Sequence, residues 1–224
     1  MRRLVKDYVG IVARTLPIGE PIYEFGSLPP LGQEGFADLR SYFPGRTFIG
    51  CDMTPGPGVD LVMDLHKIDL PPQSAGTVIL LDTLEHVEHF WTAMAEIFRL
   101  IRPGGVLVIS SVMNYPIHKA PSDYWRFTPD AFETLLKPFG WRRVDCVGLS
   151  SFPHSVLGVA VKGKLPQESV QRFEEEVQAW KRRWNKNWRY TALKLVPPLV
   201  VDLYKLARLG LEKRGIRILP RIKV

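Results

Sequence analysis

Ile22-Tyr23-Glu24-Phe25-Gly26 is a short apolar run that meets an acid and ends at a glycine. Three later stretches repeat the pattern: Phe48-Ile49-Gly50-Cys51-Asp52, Leu61-Val62-Met63-Asp64 and Val78-Ile79-Leu80-Leu81-Asp82. A strand buried on both faces of a parallel sheet reads as a continuous apolar run. In open α/β sheets, ligands lie beyond the carboxyl ends of such strands. Carboxylates there accept hydrogen bonds from ribose hydroxyls, an adenine amine or a cationic group. The pattern therefore points to a nucleoside-like ligand.

Helical signals alternate with these runs. Leu4, Val5, Tyr8, Val9, Val12 and Leu16 keep a helical period over residues 1–16, and Pro17 and Gly19 end it. A Pro/Gly-rich turn with Pro29, Pro30, Gly32 and Gly35 leads into a helix through Phe36 and Leu39. Strands are expected at Pro21–Gly26, Thr47–Asp52, Val59–Leu65, Thr77–Asp82 and Val106–Val112. Between the last two, Phe90–Ile101 reads as a helix closed by Arg102-Pro103-Gly104-Gly105. Thr128-Pro129-Asp130 opens another helix, with Thr128 as N-cap. Trp141–Gly148 and Val156–Lys162 read as a terminal antiparallel pair. Strands alternating with helices predict an α/β layer fold with a mainly parallel sheet.

The chain has 224 residues, enough for one ordinary domain and an appendage. Its apolar content of 46% is that of a soluble globular protein. Two cysteines, Cys51 and Cys146, argue against a disulfide framework and for a reducing, cytoplasmic setting. The first residues lack the apolar core of a signal peptide, and no segment has the apolar length of a membrane span. The net charge of +7 is uneven: 14 Lys and Arg against 6 acids from Leu165 onward leave the preceding part at −1. A near-neutral core argues against a grip on nucleic acid. The division expected is 1–164 for the α/β domain and 165–224 for a basic helical tail.

In that tail Val170, Phe173, Val177, Trp180 and Trp184 form one stripe at helical spacing. Pro197-Pro198 breaks it, and Leu199–Leu211 keeps only a narrow polar strip. Trp180, Trp184, Trp188 and Tyr190 interleave with Lys181, Arg182, Arg183, Lys186 and Arg189. Such a stripe packs on the core or on a second subunit as a homo-oligomer contact; it also suits peripheral contact with a membrane surface or an anionic polymer.

The ordered pieces Glu24-Phe25-Gly26, Asp52, Asp64, Leu81-Asp82-Thr83-Leu84-Glu85-His86-Val87 and Leu100-Ile101-Arg102-Pro103-Gly104-Gly105 resemble the motifs of class I S-adenosylmethionine-dependent methyltransferases. The resemblance covers about residues 20–163. It implies a Rossmann-like seven-stranded, mainly parallel sheet with helices on both faces. It also implies S-adenosyl-L-methionine as cofactor: Glu24 and Gly26 near the methionine moiety, Asp52 at the ribose, Asp64 and Leu65 at the adenine, Leu81 and Asp82 lining the methionine end, with Ser27 and Met53 also among the cofactor-binding residues. The loop after Gly26 departs from the family pattern, with Ser27-Leu28-Pro29-Pro30 in place of further glycines.

The implied function is methyl transfer to a small-molecule, sugar or lipid-linked acceptor. After the fifth strand, Asn114–Phe127 lies over the presumed methyl-donor end, with His118 and Tyr124 as candidate catalytic side chains. Glu85, His86, Glu88 and His89 do not keep the His-Glu-x-x-His spacing, so they read as a helix start and no metal is expected. Two alternatives compete. A nicotinamide oxidoreductase lacks support because no Gly-x-Gly-x-x-Gly is present. A non-catalytic degenerate Rossmann-like module, recruited to membranes or partners by its basic tail, is motivated by the altered glycine loop.

Overall fold

The structure, a computed structural model, describes residues 1–149 and 151–185. In chain order the elements are α1 (Arg3–Thr15), β1 (Ile22–Phe25), α2 (Glu34–Ala37), β2 (Phe48–Asp52), β3 (Leu61–Val62), β4 (Ala75–Leu81), α3 (Phe90–Leu100), β5 (Ile101–Val112), α4 (Pro129–Leu135), β6 (Trp141–Leu149), β7 (Phe152–Val161) and α5 (Gln167–Asn185). The strands form one sheet in the order β3-β2-β1-β4-β5-β7-β6. β7 runs antiparallel to both β5 and β6, while the other neighbours are parallel. This is the seven-stranded, Rossmann-like arrangement anticipated.

β1 and β4 sit at the centre and are buried along their whole length, which is why their sequences are uninterrupted apolar runs. Several expected boundaries shift, among them the start of β7, at Phe152 rather than Val156. β3 has only Leu61 and Val62, both exposed at the sheet edge, so a strand over Val59–Leu65 does not form. β5 begins earlier, at Ile101, because Arg102-Pro103-Gly104-Gly105 is absorbed as an irregularity between the pairs Ala75↔Ile101 and Thr77↔Val106. Gly104 takes the positive φ (78°) that this bulge requires. The expected helix through Leu39 splits into α2 and a 3-10 turn at Arg40–Tyr42.

Side chains alternate across the sheet. Tyr23, Phe25, Val78, Leu80, Leu107, Ile109, Val156 and Ala160 face α3 and α4, which supply Met94, Ile97, Leu100 and Phe132, with Leu136 at the C-cap of α4. Thr128 caps α4 as expected, its hydroxyl accepting from the Ala131 amide at 3.1 Å. The opposite face is covered by α1 and α5. Tyr8 of α1 approaches Asp145 of β6 at 3.5 Å, and its ring meets Phe173 and Trp180 of α5 at 6.0 and 5.1 Å. Phe173 also meets Trp141 of β6. Asp145 is buried and compensated: Arg143 and Lys181 both donate to it, at 2.9 and 3.2 Å.

The stripe Phe173, Val177, Trp180 and Trp184 is therefore core, and the Trp180 indole donates to the Leu4 carbonyl at 3.0 Å. Arg14 clamps Glu176 from α1. Met1–Trp184 form one compact unit, so the boundary expected at 164/165 falls inside it and α5 belongs with the sheet. Lys186, Trp188, Arg189, Tyr190, Pro197-Pro198 and Leu199–Leu211 lie outside the described residues. Among the described residues, no helix is long and apolar enough to cross a membrane.

Trp180 is 5% exposed and fills the seam between α1 and α5. Truncating it to alanine is expected to cost about 3–5 kcal/mol of stability. Urea titration of wild type and Trp180→Ala reads this directly; a loss below about 1 kcal/mol would mean that α5 is not part of the cooperative core.

Candidate functional site

The carboxyl ends of β1, β2 and β4 bring Glu24, Asp52 and Asp82 to one rim of the sheet. β1 lies between the other two strands, and Glu24 is level with Gly50 and Ile79. Glu24 is 6% exposed, and burial pushes its carboxyl up to about 8. Gly26 follows at φ 80°, and a Cβ there would collide with the Thr83 hydroxyl after β4. The chain can make this turn only with glycine.

The loop after Gly26 folds back onto β2. The amides of Gly26 and Ser27 both donate to the Cys51 carbonyl, at 2.9 and 3.1 Å. Leu28 donates to one oxygen of Asp52 at 3.2 Å and Thr54 to the other at 3.1 Å. Asp52 is thereby oriented by two backbone donors, with lone pairs left over for hydroxyl groups. The departure at Ser27-Leu28-Pro29-Pro30 has a structural role: the loop is tied to β2 through backbone bonds instead of through further glycines.

The remaining expected cofactor residues divide. Leu65 and Leu81 are buried and apolar. Asp64 lies in the turn beyond β3, accepting from the amide and ring of His66 at 2.8 and 2.7 Å. The His66 amide, with its ring, holds the Asp64 carboxyl below the ordinary range. The Met53 side chain is 62% exposed. Asp82, at φ 48°, is engaged by the chain itself. Arg2 donates to both its oxygens, at 2.6 and 3.1 Å, and Ser110 to one of them at 2.7 Å. Burial alone would raise the Asp82 carboxyl; Arg2 beside it holds it below the ordinary range. Arg2 also contacts Ser155. The Arg2–Asp82 pair joins the N-cap of α1 to the end of β4, and no local motif signals it.

Above β4 and β5 the segment 113–128 is held down at several points. The carbonyl of Glu85 accepts from the Tyr124 and Trp125 amides at 2.8 and 3.2 Å. The Trp125 indole donates to the Val87 and Glu88 carbonyls, and its ring packs edge-on against Phe90 at 5.1 Å. Inside the loop, Arg126 grips Asp123 through two bonds, at 2.5 and 2.8 Å. That guanidinium keeps the Asp123 carboxyl well below the usual range.

The two candidate catalytic residues end up differently placed. His118 donates its amide to Asp123 at 2.7 Å, and its ring sits 4.8 Å from His86 and 4.9 Å from Tyr115. Tyr124 is 46% exposed at the loop surface. Glu85, which the sequence reads as a helix-start acid, is fully buried, and Ser111 donates to it at 2.7 Å. Burial, followed by the charge of Asp82, pushes the Glu85 carboxyl up to about 8.

Residues 40–109, from the 3-10 turn to the middle of β5, match the family model described as a methyltransferase domain. Among solved structures, a 1,6-didemethyltoxoflavin-N1-methyltransferase from Burkholderia thailandensis, bound to S-adenosylhomocysteine, aligns with a TM-score of 0.53 and 17% identity, covering 72% of this chain and 79% of that one. A SAM-dependent methyltransferase from Archaeoglobus fulgidus aligns with 0.52 and 13%, covering 70% and 94%. Another from Thermotoga maritima gives 0.50 and 16%, covering 71% and 92%. At these identities the structural likeness concerns the fold. No curated protein matches the chain.

The Arg126–Asp123 pair is the lock of the loop. In Arg126→Ala, hydrogen exchange at the Tyr124 and Trp125 amides is expected to accelerate at least tenfold, because their hydrogen bonds to Glu85 lose the frame behind them. Unchanged exchange at those two amides would show that Trp125 anchors the loop alone.

Proposed function

We infer, for a chain that belongs to the class I S-adenosylmethionine-dependent methyltransferases, that the methyl group goes to a small polar acceptor entering beneath residues 114–127. A sugar ring, free or at the end of a lipid-linked intermediate, is the class we favour. Exposed Tyr124 offers an aromatic face, and half-exposed His118 a hydrogen-bonding ring beside it in the same loop.

The observation that carries the cofactor side is the pair Glu24 and Asp52 on neighbouring strands. Glu24, a buried carboxyl raised to about 8, makes no ion pair among the described residues and is suited to a cationic ligand. Asp52, oriented from two sides by the Leu28 and Thr54 amides, suits a ribose diol. Gly26 lets the backbone pass close to such a ligand. The residues fit the cofactor, and Glu24, Gly26, Asp52 and Leu65 would hold it. When bound, it supplies a methyl group on a sulfonium centre. The chain's part is then to align the acceptor and exclude water, and alignment alone carries much of such a transfer. His118 and Tyr124 position the acceptor in this reading, and the loop pinned by Glu85 and Trp125 shields it.

Replacing Asp52 with alanine is expected to weaken S-adenosylhomocysteine binding by about 1.5–3 kcal/mol, roughly 10- to 150-fold. Isothermal titration calorimetry reads the change, and an unaltered affinity in a folded variant overturns the ribose assignment. Glu24 predicts a pH signature. Below about 8 its carboxyl is protonated and neutral, and above it is ionised. Affinity for the sulfonium cofactor should therefore rise relative to Glu24→Gln as pH passes upward through this range. Parallel pH profiles for the two proteins would place Glu24 away from the cation.

A further inference from the structure

Glu85 holds one oxygen on Ser111, while the other, Oε1, is buried without a hydrogen-bond partner. An orphaned buried carboxylate oxygen is costly and calls for a ligand. Two histidines stand beside it. One ring nitrogen of His86, one of His118 and a Glu85 oxygen lie within 4.8 Å of one another. Each ring is already oriented through Nδ1: that of His86 meets the Ser122 carbonyl at 2.5 Å, and that of His118 lies 3.2 Å from both the Pro116 carbonyl and Asp123. A carbonyl accepts only from a protonated nitrogen, which leaves Nε2 of each imidazole as its lone-pair donor. A histidine whose Nδ1–H is held by a carbonyl or carboxylate is the usual partner arrangement around a metal ion.

We propose that Glu85, His86 and His118 bind one divalent first-row transition-metal ion of the zinc class. Two imidazole nitrogens and one carboxylate oxygen are a donor set for zinc or non-haem iron, and three protein ligands leave a coordination position open. Bonds of about 2.1 Å put tetrahedral donors about 3.4 Å apart. The spacing of 4.8 Å therefore contracts by up to about 1.4 Å on loading, through the half-exposed His118 ring and its loop. The neighbouring charges are largely compensated. Arg2 is paired with Asp82, and Arg126 with Asp123, so neither guanidinium is left to oppose the ion, and Glu85 gives up its proton on binding it. In sequence the site stays hidden because His118 arrives from a separate loop, outside any His-x-x-His or His-Glu-x-x-His spacing. Resting on the acceptor reading above, the open position would take the acceptor's oxygen or nitrogen and favour its deprotonated form.

The test uses full-length protein stripped with a chelator and dialysed. Zinc titration by calorimetry is expected to show one equivalent bound with a dissociation constant in the micromolar range or below. Cobalt(II) substitution is expected to give the visible absorption of a four- or five-coordinate centre. His118→Ala and Glu85→Gln should each weaken zinc at least tenfold and abolish the cobalt band. S-adenosylhomocysteine binding, measured on the same His118→Ala protein, should be unchanged, since that side chain lies outside the cofactor residues. No zinc uptake by the wild type, or uptake equal in His118→Ala, overturns the site. Loss of S-adenosylhomocysteine binding by the wild type instead strikes the cofactor reading and leaves the metal result standing.

Discussion

Burying carboxyl groups is expensive, and this fold withdraws three of them from solvent along one rim: Glu24 at the end of β1 and Glu85 in the turn after β4 are buried, and Asp82 between them is partly buried. Each meets the cost differently. Asp82 draws in a guanidinium from the start of α1 and a hydroxyl from β5. Glu24 and Glu85 retain their protons up to about 8. Much of the surrounding architecture answers to this constraint. Arg2 secures the beginning of α1 over the sheet, and the backbone of Glu85 anchors the loop after β5. Removing the Asp82 carboxyl would leave the first helix without this fixed point on the sheet.

The fold was legible because local pattern and global position agree. β1, β2 and β4 are continuous apolar runs because parallel strands at the sheet centre are covered on both faces. Thr128-Pro129 marks the start of α4 because a cap acts within three residues. The stripe on α5 shows its period, although nothing in that period names α1 as the surface it covers. Where pattern misled, the reason is the edge. Val59–Leu65 has strand-like residues, but β3 pairs on one side only and keeps just two.

The candidate site was legible in half. Glu24 and Asp52 stand out because an acid at the end of an apolar run needs a reason. Asp82 stands out equally, yet its partner lies 80 residues away. The role of Ser27-Leu28 is invisible for another reason: it is performed by amides, which every sequence has. Glu85, His86 and His118 share that fate, since the loop that unites them is shaped by Arg126 and Asp123, and no spacing rule reports a tertiary ion pair.

The seam between α1 and α5 carries a consequence for how the protein is made. The Trp180 indole is bonded to the Leu4 carbonyl, 176 positions earlier. At a synthesis rate of about 5–20 residues per second, α1 leaves the ribosome roughly 9–35 s before the helix that covers it. Through that interval its apolar stripe, Leu4, Val5, Tyr8, Val9 and Val12, lacks its final cover. The first helix to be synthesised is among the last to be completed. The nascent chain thus carries this stripe without its final cover well after the central strands have been made.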